Sequence, residues 1–219
     1  MLLEQLRVLY LHGFASGPAS RKATYFAAKF NECGANLEIP DLAQGDFRHL
    51  TITAQLDLIA TLLDGSPAIL IGSSLGGYLA ALYAATHREI KRLILLAPAL
   101  DFVRLWRQGL GTERLARWKR SGSMPVFHYA EGREMPLDFE FIQDAARFPP
   151  FPNLAQPTLI FHGRHDPVVP FWNSVLLAAA HYPEVHVRCL VSGHELTDVL
   201  DSIWLESQSF LTKGLPSKE

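Results

Sequence analysis

Two cysteines, Cys33 and Cys189, are too few in 219 residues to build a disulfide framework. They read as reduced thiols of a cytoplasmic protein, and Cys189, inside an apolar stretch, reads as a small core residue. Charge of neither sign dominates: 20 Lys and Arg stand against 22 Asp and Glu, for a net charge of -2. No basic block could track a nucleic-acid backbone, so nucleic acid is not an expected partner. No apolar run approaches the ~20 residues of a bilayer span. The stretch from Met1 to Val8 lacks a basic start, and Glu4 and Arg7 interrupt its apolar residues, so it does not read as a secretory leader. Internal repeats and low-complexity tracts are missing too. What is present is 48% hydrophobic residues, enough for one domain over residues 1–219 with a buried core and room for an insertion.

The most informative stretch is Ile69-Leu-Ile-Gly-Ser-Ser-Leu-Gly-Gly77. It puts Ser74 between an apolar strand and a helix, with Gly72 and Gly76 two residues to either side. A strained strand-to-helix elbow needs this spacing so that neighbouring backbone can approach and the hydroxyl can stand clear. The bare pattern Gly-x-Ser-x-Gly arises by chance roughly 0.1 times in a chain this long, so its context carries the weight. Residues 68–71 are apolar, and Leu75, Leu79, Leu82 and Tyr83 recur at helical spacing after it.

Six short apolar runs, at 7–11, 37–41, 68–73, 92–97, 157–162 and 185–191, alternate with helix-like stretches at 21–33, 51–64, 75–87 and 171–181. Runs such as Arg92-Leu-Ile-Leu-Leu-Ala97 are apolar on both faces, which predicts a parallel sheet covered by helices on both sides. The alternation stops at residues 101–150. There the sequence predicts two helical pieces before Lys119, a hairpin turning at Glu131-Gly132, and a helix over 138–147. This segment reads as a lid after the fourth run, with Trp106, Trp118, Phe127, Phe139 and Phe141 on its underside; a satellite core without a substrate role is the competing reading.

Two further strand ends carry polar residues. Pro157-Thr-Leu-Ile-Phe-His-Gly-Arg-His-Asp166 places Asp166 just past a strand, and the last run leads into Ser192-Gly193-His194. With Leu11-His12-Gly13-Phe14 and the serine elbow, these motifs in this order resemble the α/β-hydrolase superfamily over most of the chain. The opening Tyr10-Leu-His-Gly-Phe-Ala-Ser-Gly-Pro-Ala-Ser-Arg-Lys22 more narrowly resembles the small YqiA-type esterases, although the chain has no room for the antiparallel hairpin with which the superfamily usually begins. The resemblance implies an α/β-hydrolase fold: a mostly parallel sheet of about six strands in the order 2-1-3-4-5-6, with helices on both faces. It also implies a catalytic set of Ser74 as nucleophile, His194 as base and Asp166 as its partner. The backbone N–H of Leu75, with that of Phe14 or Ala15, would form an oxyanion hole.

The expected activity is cleavage of small carboxylic esters through an acyl-enzyme, with no cofactor. An acyl-thioesterase using the same set and a non-catalytic binding protein on the same fold are the alternatives. His162-x-x-His165-Asp166 lacks the spacing of a helical zinc motif, so no metal is expected. Asp198 and Asp201, near His194 in sequence, read as solvated residues of a terminal helix over 197–212. His12 reads chiefly as a support for the oxyanion loop and also as a candidate substrate contact, as does Trp106. Ser20 reads as an N-cap, which puts Arg21 and Lys22 in a first helical turn where the macrodipole disfavours cations. Recognition of an anionic substrate by Lys22 is one way to offset that; solvation of the two charges or an ion pair to a surface acid is the alternative.

Overall fold

The computed structural model describes residues 6–212; residues 1–5, most of the stretch considered above as a leader, lie outside the described residues. Five parallel strands form one sheet: β1 (Arg7–Leu11), β2 (Ala68–Ser73), β3 (Ile90–Leu96), β6 (Thr158–Gly163) and β7 (Val185–Leu190), adjacent in that order. Side chains alternate across it, as strand geometry requires. Leu9, Leu11, Leu70, Leu93, Leu95 and Ile160 enter one core, and Val8, Tyr10, Ile69, Ile71, Ile94, Leu96 and Phe161 enter the other. Helices α2 (Ile52–Leu63), α3 (Leu75–Thr86) and α6 (Phe171–Ala180) pack on the first face. Helices α1 (Arg21–Glu32) and α7 (Leu200–Thr212) cover the second, where Phe26 and Phe30 meet Trp204.

The second apolar run, 37–41, is the one that fails to become a strand. It makes a single parallel bridge between Glu38 and Leu9, on the outer side of β1, so the expected order survives with its first member reduced to one residue. Pro40 has no N–H to continue a ladder. Asp41 then turns the chain by accepting the N–H groups of Ala43 and Gly45. At the opposite border β7 has one uncovered edge, and Cys189 is exposed there rather than buried, correcting its assignment to the core. Cys33 and Cys189 are both free thiols.

Residues 101–150 leave the sheet after β3 and return at β6. They hold α4 (Phe102–Ser121), broken at Gly111, the antiparallel hairpin β4 (Ser123–His128) and β5 (Arg133–Asp138), and α5 (Glu140–Ala145). Trp118, Leu137, Phe141 and Ile142 are buried in the same core as the first sheet face, so the segment is continuous with the main packing. Trp118 donates its indole N–H to the carbonyl of Leu137 at 2.9 Å, which satisfies its polar atom inside the apolar interior. Phe127 is the exception among the expected underside residues: it is half exposed and packs on Tyr129.

Candidate active site

The elbow is built by close backbone approach. A Cβ on Gly72 would lie 2.3 Å from the carbonyl oxygen of Gly76, and one on Gly76 would lie 2.0 Å from that of Leu11. Ser74 itself has φ 52° and ψ -116°, a conformation that costs a non-glycine residue on the order of 1–3 kcal/mol. Its neighbours hold it there. The Ser74 N–H donates to the carbonyl of Leu96 at 2.9 Å, and its own carbonyl accepts from Ala99 at 2.9 Å and Tyr78 at 3.1 Å. Ser74 is left partly exposed at the start of α3.

His194 and Asp166 arrive from the ends of β7 and β6. Nε2 of His194 lies 3.0 Å from Oγ of Ser74, and Nδ1 lies 2.7 Å from Oδ2 of Asp166. The other oxygen of Asp166 accepts the N–H groups of Val168 at 2.8 Å and Val169 at 2.9 Å, which anchors that end of the carboxylate. Burial pushes the Asp166 carboxyl upward, but N–H donation from His162, His194 and Val169 outweighs it and holds the group well below the usual carboxylate range. Serine, histidine and aspartate thus form one chain of hydrogen bonds. The rival acids are engaged elsewhere: Asp198 lies in the turn before α7 and accepts from the Ser192 hydroxyl at 2.5 Å, while Asp201 accepts from Tyr25 at 2.6 Å.

The loop after β1 abuts Ser74, since a Cβ on Gly13 would sit 3.6 Å from Cβ of Ser74. Among the described residues the backbone N–H groups of Leu75, Phe14 and Ala15 meet no backbone acceptor. Both ring nitrogens of His12 are engaged by backbone. Its Nε2 accepts the N–H of Leu42 at 3.2 Å, so Nδ1 carries the proton and donates to the carbonyl of Gly13 at 3.0 Å. Burial lowers its pKa, in keeping with a neutral ring.

Lys22 forms the ion pair to an acid that was the alternative to substrate recognition. Its ammonium, with the side chain 10% exposed, donates to the backbone carbonyl of Glu195 at 2.8 Å and to the Glu195 carboxylate at 3.0 Å. The cation that the helix dipole disfavours is offset by the residue next to His194, not by open space for an anion. Ser20 sits at the N-cap position of α1, yet its side chain makes no capping bond. Trp106 is half-buried among Phe14, Trp118 and Phe141, with ring centroids 5.2, 5.4 and 5.4 Å away. It reaches the site through Phe14. A cavity of about 620 Å³ opens beside this cluster, lined by Tyr78, Phe102, Leu115, Phe148 and Arg107 among others; Ser74, Asp166 and His194 are not in its wall. Among the described residues no group of three or more His, Cys, Asp or Glu could hold a metal ion.

Residues 7–207 match the model of a family described as "Uncharacterised protein family (UPF0227)". The chain belongs to the UPF0227 family. No curated protein matches it. This UPF0227 member is similar in fold to solved α/β hydrolases. Alpha/beta hydrolase domain-containing protein 10 from mouse is 21% identical with a TM-score of 0.78, over 94% of this chain and 89% of that one. Est1E from Butyrivibrio proteoclasticus, solved with ferulic acid bound, is 21% identical with a TM-score of 0.78, over 96% and 91% of the two chains. A putative hydrolase from Agrobacterium vitis S4 is 21% identical with a TM-score of 0.80, over 95% and 88%. The expected fold is therefore the observed one.

Three residues of this UPF0227 site escaped the sequence reading. The sequence offers His162 only as a metal-ligand candidate, yet its Nε2 lies 3.1 Å from the same Asp166 oxygen that faces His194. Ser174, one turn into α6, closes on the other ring nitrogen of His162 at 2.7 Å. Glu195 accepts from Lys22 through both its backbone carbonyl and its carboxylate. For Ser174 and Glu195 no local pattern signals the contact, because each depends on how distant elements dock. For His162 the signal was its position on an apolar strand, four residues before an aspartate, where a buried imidazole needs a partner.

Proposed function

We propose that this protein is a serine hydrolase that cleaves small carboxylic esters through an acyl-enzyme. The observation that carries the reading is the unbroken chain from Ser74 Oγ through His194 to Asp166, with spacings of 3.0 and 2.7 Å. Such a chain makes an otherwise un-ionised hydroxyl reactive toward a carbonyl carbon. As Ser74 Oγ bonds to the acyl carbon, its proton passes to Nε2 of His194, while the Nδ1 proton stays hydrogen-bonded to Asp166. The developing oxyanion accepts from the N–H of Leu75 and that of Phe14, each such donor being worth ~10²–10³ in turnover. The tetrahedral carbon then expels the alcohol, which takes the proton from Nε2. Water repeats the sequence on the acyl-serine and releases the acid.

No step in this scheme calls for a metal or cofactor. The free thiols Cys33 and Cys189 support a reducing compartment, the cytoplasm. Residues 101–150 act as a lid that sets acyl preference, a reading supported by the packing of Trp106 and Phe141 on Phe14. The test is turnover of p-nitrophenyl esters of graded length beside acyl-thioesters. Short esters are expected to be cleaved best, with Ser74→Ala at least ~10⁴-fold slower. Equal turnover by the Ser74→Ala protein removes the reading, and a preference for thioesters redirects it to thioesterase activity at the same serine.

A further inference from the structure

His162 is fully buried at the end of β6, and its ring nitrogens have different partners. Nε2 faces two acceptors, Oδ2 of Asp166 at 3.1 Å and the carbonyl oxygen of Val169 at 3.0 Å. A nitrogen between two acceptors must carry the proton. Nδ1 then presents a lone pair to Oγ of Ser174 at 2.7 Å, so the serine hydroxyl donates. Every polar atom of this buried group is satisfied in one tautomer only, and α6 supplies the residue that selects it. The consequence falls on Asp166: its Oδ2 accepts from His162 and His194 together, while Oδ1 is held by backbone.

We propose that His162, oriented by Ser174, is a positioning residue for Asp166: it aims Oδ2 at His194 and tempers the basicity of that oxygen. This rests on the proposed function, in which Asp166 serves the base. A carboxylate oxygen bound by one histidine alone could turn away from His194, and it would draw more strongly on the His194 proton. With His162 in place the oxygen has a second fixed donor throughout the cycle. Among the described residues the side chains bonded to this oxygen are His162 from β6 and His194 from the loop after β7, with neutral Ser174 behind His162 and the Lys22–Glu195 pair next to His194 in sequence.

The side-chain nitrogen of asparagine can take the place of Nδ1, and that of glutamine the place of Nε2. His162→Asn therefore keeps a polar group toward Ser174 but cannot reach Asp166, whereas His162→Gln restores an N–H near Oδ2. In His162→Asn, kcat is expected to fall roughly 10- to 100-fold with little change in KM. The acidic limb of kcat/KM should move to higher pH by about half a pH unit or more, because a less encumbered Asp166 favours the protonated imidazole of His194. His162→Gln should return both toward the parent values. The NMR titration midpoint of His194 should follow the same pattern, and it needs no turnover. If His162→Asn does not fold, His162→Leu, of similar volume, is read in the same way. An asparagine or leucine variant with the parent's kcat, limb and His194 midpoint overturns the proposal. A parent protein that hydrolyses no acyl donor overturns the proposed function instead, while the His194 midpoints still decide whether His162 acts on Asp166.

Discussion

Ser74 concentrates the local conflict in this chain. A non-glycine residue at φ 52° is held by three backbone hydrogen bonds to the end of β3 and the first turn of α3, and its hydroxyl is aimed at His194. Strain of this kind persists only where the surroundings over-determine it, and a glycine on each side makes the approach possible. This part of the site was legible in the sequence because the elbow is local: the glycine spacing, the apolar strand before it and the helix after it all lie between Ala68 and Thr86. The same physics predicts the effect of a single methyl group. Gly76→Ala would drive a Cβ to 2.0 Å from the carbonyl oxygen of Leu11, backbone that has no room to yield. Its thermal unfolding midpoint should fall by several degrees, consistent with a cost of roughly 1–3 kcal/mol. A Gly76→Ala protein as stable as the parent would contradict the packing described at the elbow.

At the scale of elements, the loops after β1, β6 and β7 are held by side chains from outside the hydrogen-bonded chain of the site. His12 ties the loop after β1 to Leu42, the Asp166 turn is tied to His162, and Lys22 of α1 ties the His194 loop through Glu195. The Lys22 contact links residues 173 apart, and one of its two bonds is to a backbone carbonyl that any residue at 195 would supply. Lys22→Met, which keeps the apolar stem and loses the ammonium, is expected to lower kcat roughly 10-fold with KM nearly unchanged. Glu195→Gln should stay close to the parent because the carbonyl contact remains. A Lys22→Met protein with full kcat would show that α1 does not steady His194. Strands and helices were readable from apolar periodicity, and the Asp166 and His194 placements followed from strand ends. The destination of Lys22 was not readable: sequence showed a cation in an unfavourable helical turn, but only the docking of α1 beside the last loop shows what offsets it. The run at 37–41 misled for a simpler reason, since its apolar content was strand-like while Pro40 and the Asp41 turn end the ladder after one bridge.

At the scale of the whole molecule, the wound sheet gathers residues 12–15, 74, 166 and 194 at the C-terminal ends of its strands, as open parallel sheets do where connections diverge. The same burial makes stability depend on pH. Burial lowers the pKa of both His12 and His128, which line the same pocket beneath the loop after β1, below the ordinary histidine value of about 6.5. Below that pH the unfolded chain takes up protons that the folded one resists, so this contribution is fully present above about pH 6.5 and is lost as pH falls. Asp166, whose carboxyl is depressed from 3.8, adds stability that is present above that value and lost further down. Urea midpoints should therefore decline between pH 7 and 5.5, and less steeply in His128→Asn; an equal slope in the two proteins would locate the protons elsewhere. The central claim, that Ser74 is a nucleophile activated by His194, is tested most directly by the rate and site of covalent labelling with a fluorophosphonate. The account predicts one label per chain, on the peptide containing Ser74, with labelling slowed at least ~10³-fold in His194→Ala. A folded parent chain that stays unlabelled, or labels equally fast without the imidazole, would contradict it.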